Sequence, residues 1–162
     1  MARVDIKPAA IVEAIRLRLI NAGAVAHQAN CFIAQPDQAF QAPPGDTWLT
    51  LWIDGGQFDP EQADGGVATV KASVTVVAWS KVLLDPTGKD AKTLTDATRG
   101  LLVVADKVFQ ALWLHDLQSG ADEILSEPMR PVTLGSPVRP PDEPGSVSLT
   151  WEVIFNWEVS ED

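Results

Sequence analysis

The chain alternates apolar and polar residues from Val147 to Val159, and only Ile154 breaks the alternation. A period of two residues is the pattern of a β-strand with one buried face. The run is about twice as long as an ordinary strand. It therefore predicts a long antiparallel strand that serves the sheet of this chain or a neighbouring subunit.

Two earlier segments also show strand patterns. Thr47–Asp54 has Trp48 and Trp52 on one face and Leu49 on the other, and apolar residues on both faces predict burial on both sides. Val67–Ser80 alternates along most of its length, and its polar face becomes apolar near the far end. We expect both segments to be strands.

Weaker patterns mark the remaining strands and the loops. Ala24–Ala34 predicts at most a short strand, and Glu123–Leu134 predicts an edge strand interrupted by two prolines, which cannot donate to a ladder. Glycine and proline predict the connections. The expected loops are 35–46, 84–92, an exposed hairpin loop at Gly55–Gly66 and a stiff loop at Gly135–Gly145.

Helical spacing appears in two segments. Pro8 suits a first helical turn, and the apolar stripe that follows predicts a helix from Pro8 to about Ala22, with Gly23 as its stop. Apolar residues at helical spacing predict a second helix from about Ala91 to Leu114. Gly100 would lie inside that helix at a cost of about 1 kcal/mol relative to alanine, so we expect a close contact there.

This order of elements predicts an α+β fold, an antiparallel β-sheet with two helices packed on one face. Neither an internal repeat nor a linker divides the 162 residues. The length suffices for one hydrophobic core without disulfide or metal staples. We therefore expect a single domain over residues 1–162.

The composition narrows the classes of function. A formal net charge of −10 argues against a surface that grips nucleic-acid phosphates. Cys31 is the one cysteine, so neither an intrachain disulfide nor a cysteine-based zinc site is expected. The first residues lack the pattern of a signal peptide, and no apolar run is long enough to span a membrane. These features predict a reduced, cytosolic chain without membrane contact.

The two histidines do not indicate catalysis. His115 follows the second predicted helix, where a partly positive imidazole suits the helix C-terminus. A nucleophilic site would also need a Ser or Cys partner and an orienting group, and the pattern points to neither. His27 lies in a polar stretch and is interpreted as a surface residue.

Clustered carboxylates give no metal or catalytic site either. The acidic residues of the central Gly-rich loop lack the ladder of oxygens that a calcium loop requires. Glu152 and Glu158 lie on one face of the last strand, but six residues of strand separate them by about 20 Å. Pro86–Asp90 lacks the first glycine of a phosphate loop. We expect no catalytic residue, cofactor or metal.

Five segments together resemble the tail terminator (tail completion) proteins of long-tailed bacteriophages. They are the opening helix Pro8–Leu19, the strands Trp48–Trp52 and Val70–Trp79, the helix Leu94–Leu114 and the closing strand Leu149–Trp157. The resemblance implies a non-enzymatic virion protein of the tail or neck, assembled in the host cytoplasm. It implies a hexameric ring that caps the tail tube at the head-proximal end, stops tube polymerisation and joins the head–tail connector.

The same resemblance suggests which residues make contacts. Most of the six tryptophans should be core residues, but tryptophan is also favoured at protein interfaces. The candidate assembly contacts are Asp59, Glu61, Asp64, Trp151 and Trp157. The partners would be further copies of this chain, the tail tube protein and the connector protein, with DNA sliding through an acidic lumen without specific binding.

Other classes stay open at this point. A different neck protein, a head–tail connector or a tail tube subunit shares much of the same sequence texture. A small enzyme or ligand-binding α+β domain would need polar groups that converge among apolar walls, and the sequence shows no such cluster. An adaptor of a toxin–antitoxin or secretion system is a third possibility.

Overall fold

The computed structural model of the protein describes residues 8–34, 47–64, 67–80, 95, 97, 100–119, 122–138 and 145–158. These residues contain two α-helices, α1 (Pro8–Asn21) and α2 (Leu101–Leu112). They also form seven strands, namely β1 (Cys31–Ile33), β2 (Thr47–Asp64), β3 (Val67–Ser80), β4 (Gln118–Ser119), β5 (Asp122–Glu123), β6 (Leu125–Leu134) and β7 (Gly145–Glu158).

Five strands form one sheet in the order β1–β2–β3–β7–β6, and β4 and β5 pair as a separate small hairpin. Within the large sheet, β2, β3, β7 and β6 are antiparallel neighbours. The predicted α+β class is confirmed with one correction, because β1 runs parallel to β2 at the edge of the sheet. Residue periodicity predicts that a strand exists but does not fix its direction, so this parallel pair could not be foreseen.

The two central strands match their predictions closely. β3 has the predicted bounds, and it pairs with β7 without a register shift from Val67–Glu158 to Ser80–Gly145. The apolar residues of β7 from Val147 to Phe155 are buried on one face. Val159, the predicted last residue of that strand, lies outside the described residues.

Both helices pack against the face of the sheet that carries these apolar residues. α1 buries residues at helical spacing, and α2 does the same over three turns. The buried residues of the helices and of β2, β3, β6 and β7 form one hydrophobic cluster. The guanidinium of Arg18 links the helices, since its Nε donates to the carbonyl oxygen of Ala111 at 2.9 Å, near the end of α2 where carbonyls lack helical partners.

α1 ends close to the predicted position. Gly23 adopts a left-handed φ of 73°, and its N–H donates to the carbonyl of Ile20.

α2 begins only at Leu101, because Gly100 has an extended ψ of 139° and is the N-cap. The prediction that Gly100 lies inside a helix is therefore wrong. Glycine is poor within helices but acceptable at an N-cap. Of the predicted first turns, only positions 95 and 97 lie within the described residues.

A bulge interrupts the pairing of β2 with β3. One extra residue of β2 lies between the pairs Ile53–Val74 and Gly56–Ala72, and Gly55 adopts a φ of 94°. A Cβ on Gly56 would lie 2.6 Å from the carbonyl oxygen of Lys71, so only glycine fits this close approach. The extra residue reverses which face the following side chains of β2 occupy.

The prediction of a hairpin loop over Gly55–Gly66 is thus wrong for most of its length. β2 continues to Asp64 and pairs with β3, with a second irregularity after Asp59. A strand can absorb a glycine pair when the glycines form a bulge, which residue composition alone does not distinguish from a loop. Only residues 65 and 66 of the predicted loop lie outside the described residues.

The predicted edge strand is confirmed as β6, which contains Pro128 and Pro131 and pairs with β7 through several register shifts. In the predicted Gly135–Gly145 loop, Val138 exchanges two backbone hydrogen bonds with Ser146 at 2.8 and 2.7 Å. Its residues 139–144 lie outside the described part of the chain, as do the predicted loops 35–46 and 84–92.

The bulge gives a direct stability test. Gly56→Ala should lower the free energy of unfolding by about 1–3 kcal/mol, because the new methyl group meets the backbone of Lys71 and Ala72. Gly135→Ala is the matched control, since its added Cβ meets mainly the Ser148 hydroxyl, which can rotate away. Urea unfolding measures both variants. Equal losses in the two variants would contradict the requirement for glycine in the bulge.

Candidate assembly surface

Three strands extend beyond the part of the sheet that their neighbours cover. The pairing of β1 with β2 ends at Leu51, and that of β6 with β7 begins only at Phe155. We call the end formed by Phe58–Asp64, Val67–Val70 and Phe155–Glu158 the blade. Apart from the pair Leu125–Phe155, no described strand pairs with its outer edges, and open edges are sites where another chain can add.

An exposed aromatic pair lies on the blade. The rings of Phe58 and Trp157 stack with centroids 6.0 Å apart and planes inclined by 23°, and the side chains are 59% and 36% exposed. β3 lies between β2 and β7, the two strands that carry the rings. Its residue opposite Trp157 is Ala68, whose side chain is small. We call Phe58, Ala68 and Trp157 the blade face.

The bulge is what brings these rings together. Phe58 lies opposite Val70, and Val70 lies opposite Phe155, so Phe58 is on the face of the sheet that carries the core. Without the extra residue at Gly55–Gly56, strict alternation from Ile53 would place Phe58 on the opposite face. Trp157 would then have no aromatic partner across β3.

The other face of the same strands is polar and internally bonded. Lys71 Nζ lies 3.2 Å from Glu152 Oε2, and Thr69 Oγ1 donates to Asn156 Oδ1 at 3.0 Å. Further along, Asp54 accepts hydrogen bonds from Trp52 Nε1 and Thr75 Oγ1. Cross-strand polar pairs of this kind stabilise a sheet modestly. Because these polar groups bond to each other, the exposed apolar area of the blade lies on the aromatic face.

A second exposed apolar surface follows the edge strand at the opposite end of the sheet. Val132, Leu134 and Val138 are each more than half exposed. The exposed side chain of Arg130 precedes them and lies 3.4 Å from Glu127. We call Arg130, Val132, Leu134 and Val138 the edge strip. The register places Leu134 opposite Leu149 on the core face, whereas Arg130 and Val138 lie opposite Glu152 and Ser146 on the polar face, so the strip follows the edge of the strand and not one face. The backbone bonds between Val138 and Ser146 hold its end against the sheet.

The predicted contact residues occupy different environments. Trp157 is exposed on the blade face, whereas Asp59 lies opposite Thr69 on the polar side of β2. Glu61 and Asp64 belong to β2, but the positions of their side chains lie outside the description. Trp151 is fully buried and its ring lies 5.8 Å from that of Phe109, so it offers no surface of its own to a neighbour.

Sequence reasoning missed Phe58 and the whole edge strip. Phe58 stood inside a segment interpreted as a loop, and the glycine pair before it was the signal that could have indicated a bulge. Val132 and Leu134 lie in the predicted edge strand, but the residue pattern does not show which side chains of that strand stay uncovered. Alternation predicts which residues share a face, but not whether anything covers that face.

Two groups with possible chemistry occupy other parts of the fold. Burial raises the pKa of the Cys31 thiol to about 11, despite the opposing charge of Arg16, so the thiol is protonated at neutral pH and packs as a small apolar group. Burial lowers the pKa of His115 below 6.5, the charge of Arg18 lowers it further, and Asp116 opposes both. The expected partly positive imidazole is therefore disfavoured.

His115 also lines an open groove beside α1, together with Glu13, Arg18, Asp116 and neighbouring apolar residues. Charges of both signs line this groove, and it is widely open to solvent. Within the described residues, no group of three or more His, Cys, Asp or Glu side chains is placed to hold a metal ion. None of the described helices is long and apolar enough to cross a membrane.

Comparison with known proteins relates this chain to others through its fold. Neither protein-family models nor curated proteins give a match to the sequence. A solved chain from the virion of a native gene transfer agent particle superposes with a TM-score of 0.60, covering 92% of this chain and 97% of that chain at 14% identity. A second solved chain, 16% identical over 96% of this chain and 99% of its own, has a TM-score of 0.47, too low to support an argument.

The lowered pKa of His115 predicts a pH dependence of stability. The unfolded chain binds the proton more readily than the folded chain, so this contribution is complete above pH 6.5 and is lost as the pH falls below it. His115→Gln should therefore lose less stability than the wild type between pH 7 and pH 5. Thermal unfolding across this range measures the difference, and identical slopes for both proteins would contradict the shift.

Proposed function

We propose that the protein is a structural subunit of a phage-like virion. The observation that carries this proposal is the fold shared with a chain of the gene transfer agent virion over 92% of this chain and 97% of that one. Nearly complete coverage of both chains means that the likeness extends beyond a common sheet motif. The blade and the edge strip add two exposed apolar surfaces of the kind that subunit contacts use.

Within the virion, the function that the chain supports best is that of a tail terminator. The fold has the expected layout of a mainly antiparallel sheet with two helices on one face, apart from the parallel edge strand β1, and this supports the resemblance of the sequence to this class. In this proposal six copies form a ring on the head-proximal end of the tail tube. The ring stops tube polymerisation and presents a surface to the head–tail connector protein.

In this proposal the subunit functions by making contacts with other proteins and not by catalysis. Projecting strands supply backbone edges and aromatic area outside the hydrophobic core, so a neighbour can bind without disturbing the fold. Asp59, Glu61 and Asp64 belong to β2, and Trp157 is part of the blade face. These four residues remain proposed contacts, while Trp151 would act only by supporting the sheet.

The charge of the chain is compatible with a passage for DNA. At a net charge of −10, a lumen lined by carboxylates would repel the phosphate backbone and let DNA slide without binding. The proposal therefore includes DNA as a passing molecule and not as a specific ligand. The proposed location is the tail or neck of the particle.

The solution mass tests this function directly. We expect light scattering to find an oligomer of about six copies of the 17.4 kDa chain, or monomers that associate once the tail tube protein is added. Deleting residues Trp157–Asp162 should abolish this association, because it removes one ring of the blade face. Self-assembly into long tubes would instead indicate a tube subunit. A stable monomer that ignores tubes and binds a metabolite would contradict the proposal.

A further inference from the structure

The bulge of β2 contains the dipeptide Asp54–Gly55, which is chemically reactive. The amide nitrogen of the second residue can attack the side-chain carboxyl carbon of the first, and glycine hinders this attack least because it lacks a Cβ. Both residues are exposed, and a Cβ built on Gly55 would meet nothing within 4 Å beyond its chain neighbours. Water and space for the reaction are therefore present at this bond.

Ring closure and ring opening at Asp54–Gly55 need only water. In the first step the nitrogen of Gly55 gives up its proton and bonds to Cγ of Asp54, and the carboxyl hydroxyl leaves with that proton as water. The product is a cyclic succinimide. In the second step water opens the ring, and cleavage at the former main-chain carbonyl gives isoaspartate, whose backbone runs through Cβ and Cγ. Cleavage at Cγ restores aspartate.

The folded chain holds the carboxyl group of Asp54 at both oxygens. Oδ1 accepts a hydrogen bond from Trp52 Nε1 at 2.5 Å, and Oδ2 accepts one from Thr75 Oγ1. Trp52 and Thr75 lie opposite each other on β2 and β3, so both strands fix the carboxyl group. We call Trp52 and Thr75 the carboxyl clamp. A turn of Cγ toward the Gly55 nitrogen would break at least one of these bonds.

Isoaspartate at position 54 would disturb the bulge. It adds one carbon to the backbone between Ile53 and Gly55, where β2 already holds an extra residue. The face that the following side chains occupy depends on this register, so the modification would move Phe58 away from Trp157. The clamp therefore protects the geometry that forms the blade face.

We infer that Asp54–Gly55 is a site of spontaneous isomerisation to isoaspartate, and that the carboxyl clamp suppresses this reaction in the folded chain. The reaction then requires a local opening in which Asp54 leaves Trp52 and Thr75, and such openings cost less than global unfolding. Copies that have reacted lose an intact blade face. The inference concerns the chemical durability of the chain and does not depend on the proposed ring.

Peptide mapping with electron-transfer fragmentation distinguishes isoaspartate from aspartate and measures its accumulation at position 54 at neutral pH. Urea-unfolded wild type should accumulate it, because the clamp is absent. Folded wild type should react slower by about tenfold or more, since it must first open locally. Equal rates in the folded and unfolded wild type would contradict protection by the fold. Asp64–Gly65, the other Asp–Gly pair of the sequence, is the internal reference in the unfolded chain.

The variant Thr75→Val tests the clamp itself. It should react faster than the folded wild type by about fivefold or more, because one carboxyl oxygen loses its donor. Thr150→Val is the matched control, since its hydroxyl lies 3.4 Å from that of Thr75 and one strand farther from Asp54. The control should react at the rate of the wild type. Equal acceleration in both variants would assign the effect to a loosened sheet and would overturn the role of the clamp.

The variant Trp52→Phe tests the second donor. It keeps an aromatic ring but removes Nε1, so the bond to Oδ1 is lost and isoaspartate should again form faster than in the wild type. Circular dichroism checks that each variant is folded, and Trp52→Phe replaces Thr75→Val if the latter is unfolded. If isoaspartate forms at the wild-type rate in both folded variants, the backbone of the bulge and not the clamp protects the bond, and the inference is wrong.

Discussion

β3 and β7 pair without interruption over fourteen residues of each strand, and this pair lies at the centre of the sheet between β2 and β6. Because the register does not shift between Val67–Glu158 and Ser80–Gly145, most apolar residues of both strands fall on one face, and the two helices pack over it. The same pairing continues past Val70 and Phe155, which are the last buried residues at this end of the two strands. A chain that keeps pairing past its own core presents ordered, rigid surface to other molecules, which is what an assembly subunit requires.

The glycine bulge of β2 determines which side chains form the blade face. Gly55 provides the left-handed backbone and Gly56 the close approach, and the added residue moves Phe58 to the face of Trp157. The opposite face meanwhile satisfies its polar groups through pairs such as Lys71 with Glu152. One face of the blade therefore exposes aromatic rings, whereas polar side chains of the other face bond to each other.

Much of the fold could be predicted from the sequence, because periodicity reports directly on burial. The bounds of β3, the long closing strand, the first helix and the proline-containing edge strand all follow from spacing and from the chemistry of proline and glycine. The misses have two causes. Gly55–Gly56 and Gly100 act through backbone geometry, as a bulge and as a cap, and residue type alone does not reveal which role a glycine takes. Phe58 and the edge strip were missed because exposure depends on what packs nearby. Trp151 and Trp157 look alike in the alternation, yet one is the centre of the core and the other lies at the surface.

We propose that this chain ends a tail tube by binding to it as a ring. Electron microscopy of tubes grown from the tail tube protein of the same particle, with and without this protein, tests this proposal. We expect a ring of density at one end of each tube and shorter tubes as more of the protein is added. Tubes of unchanged length with bare ends, in the presence of folded wild-type protein, would contradict it.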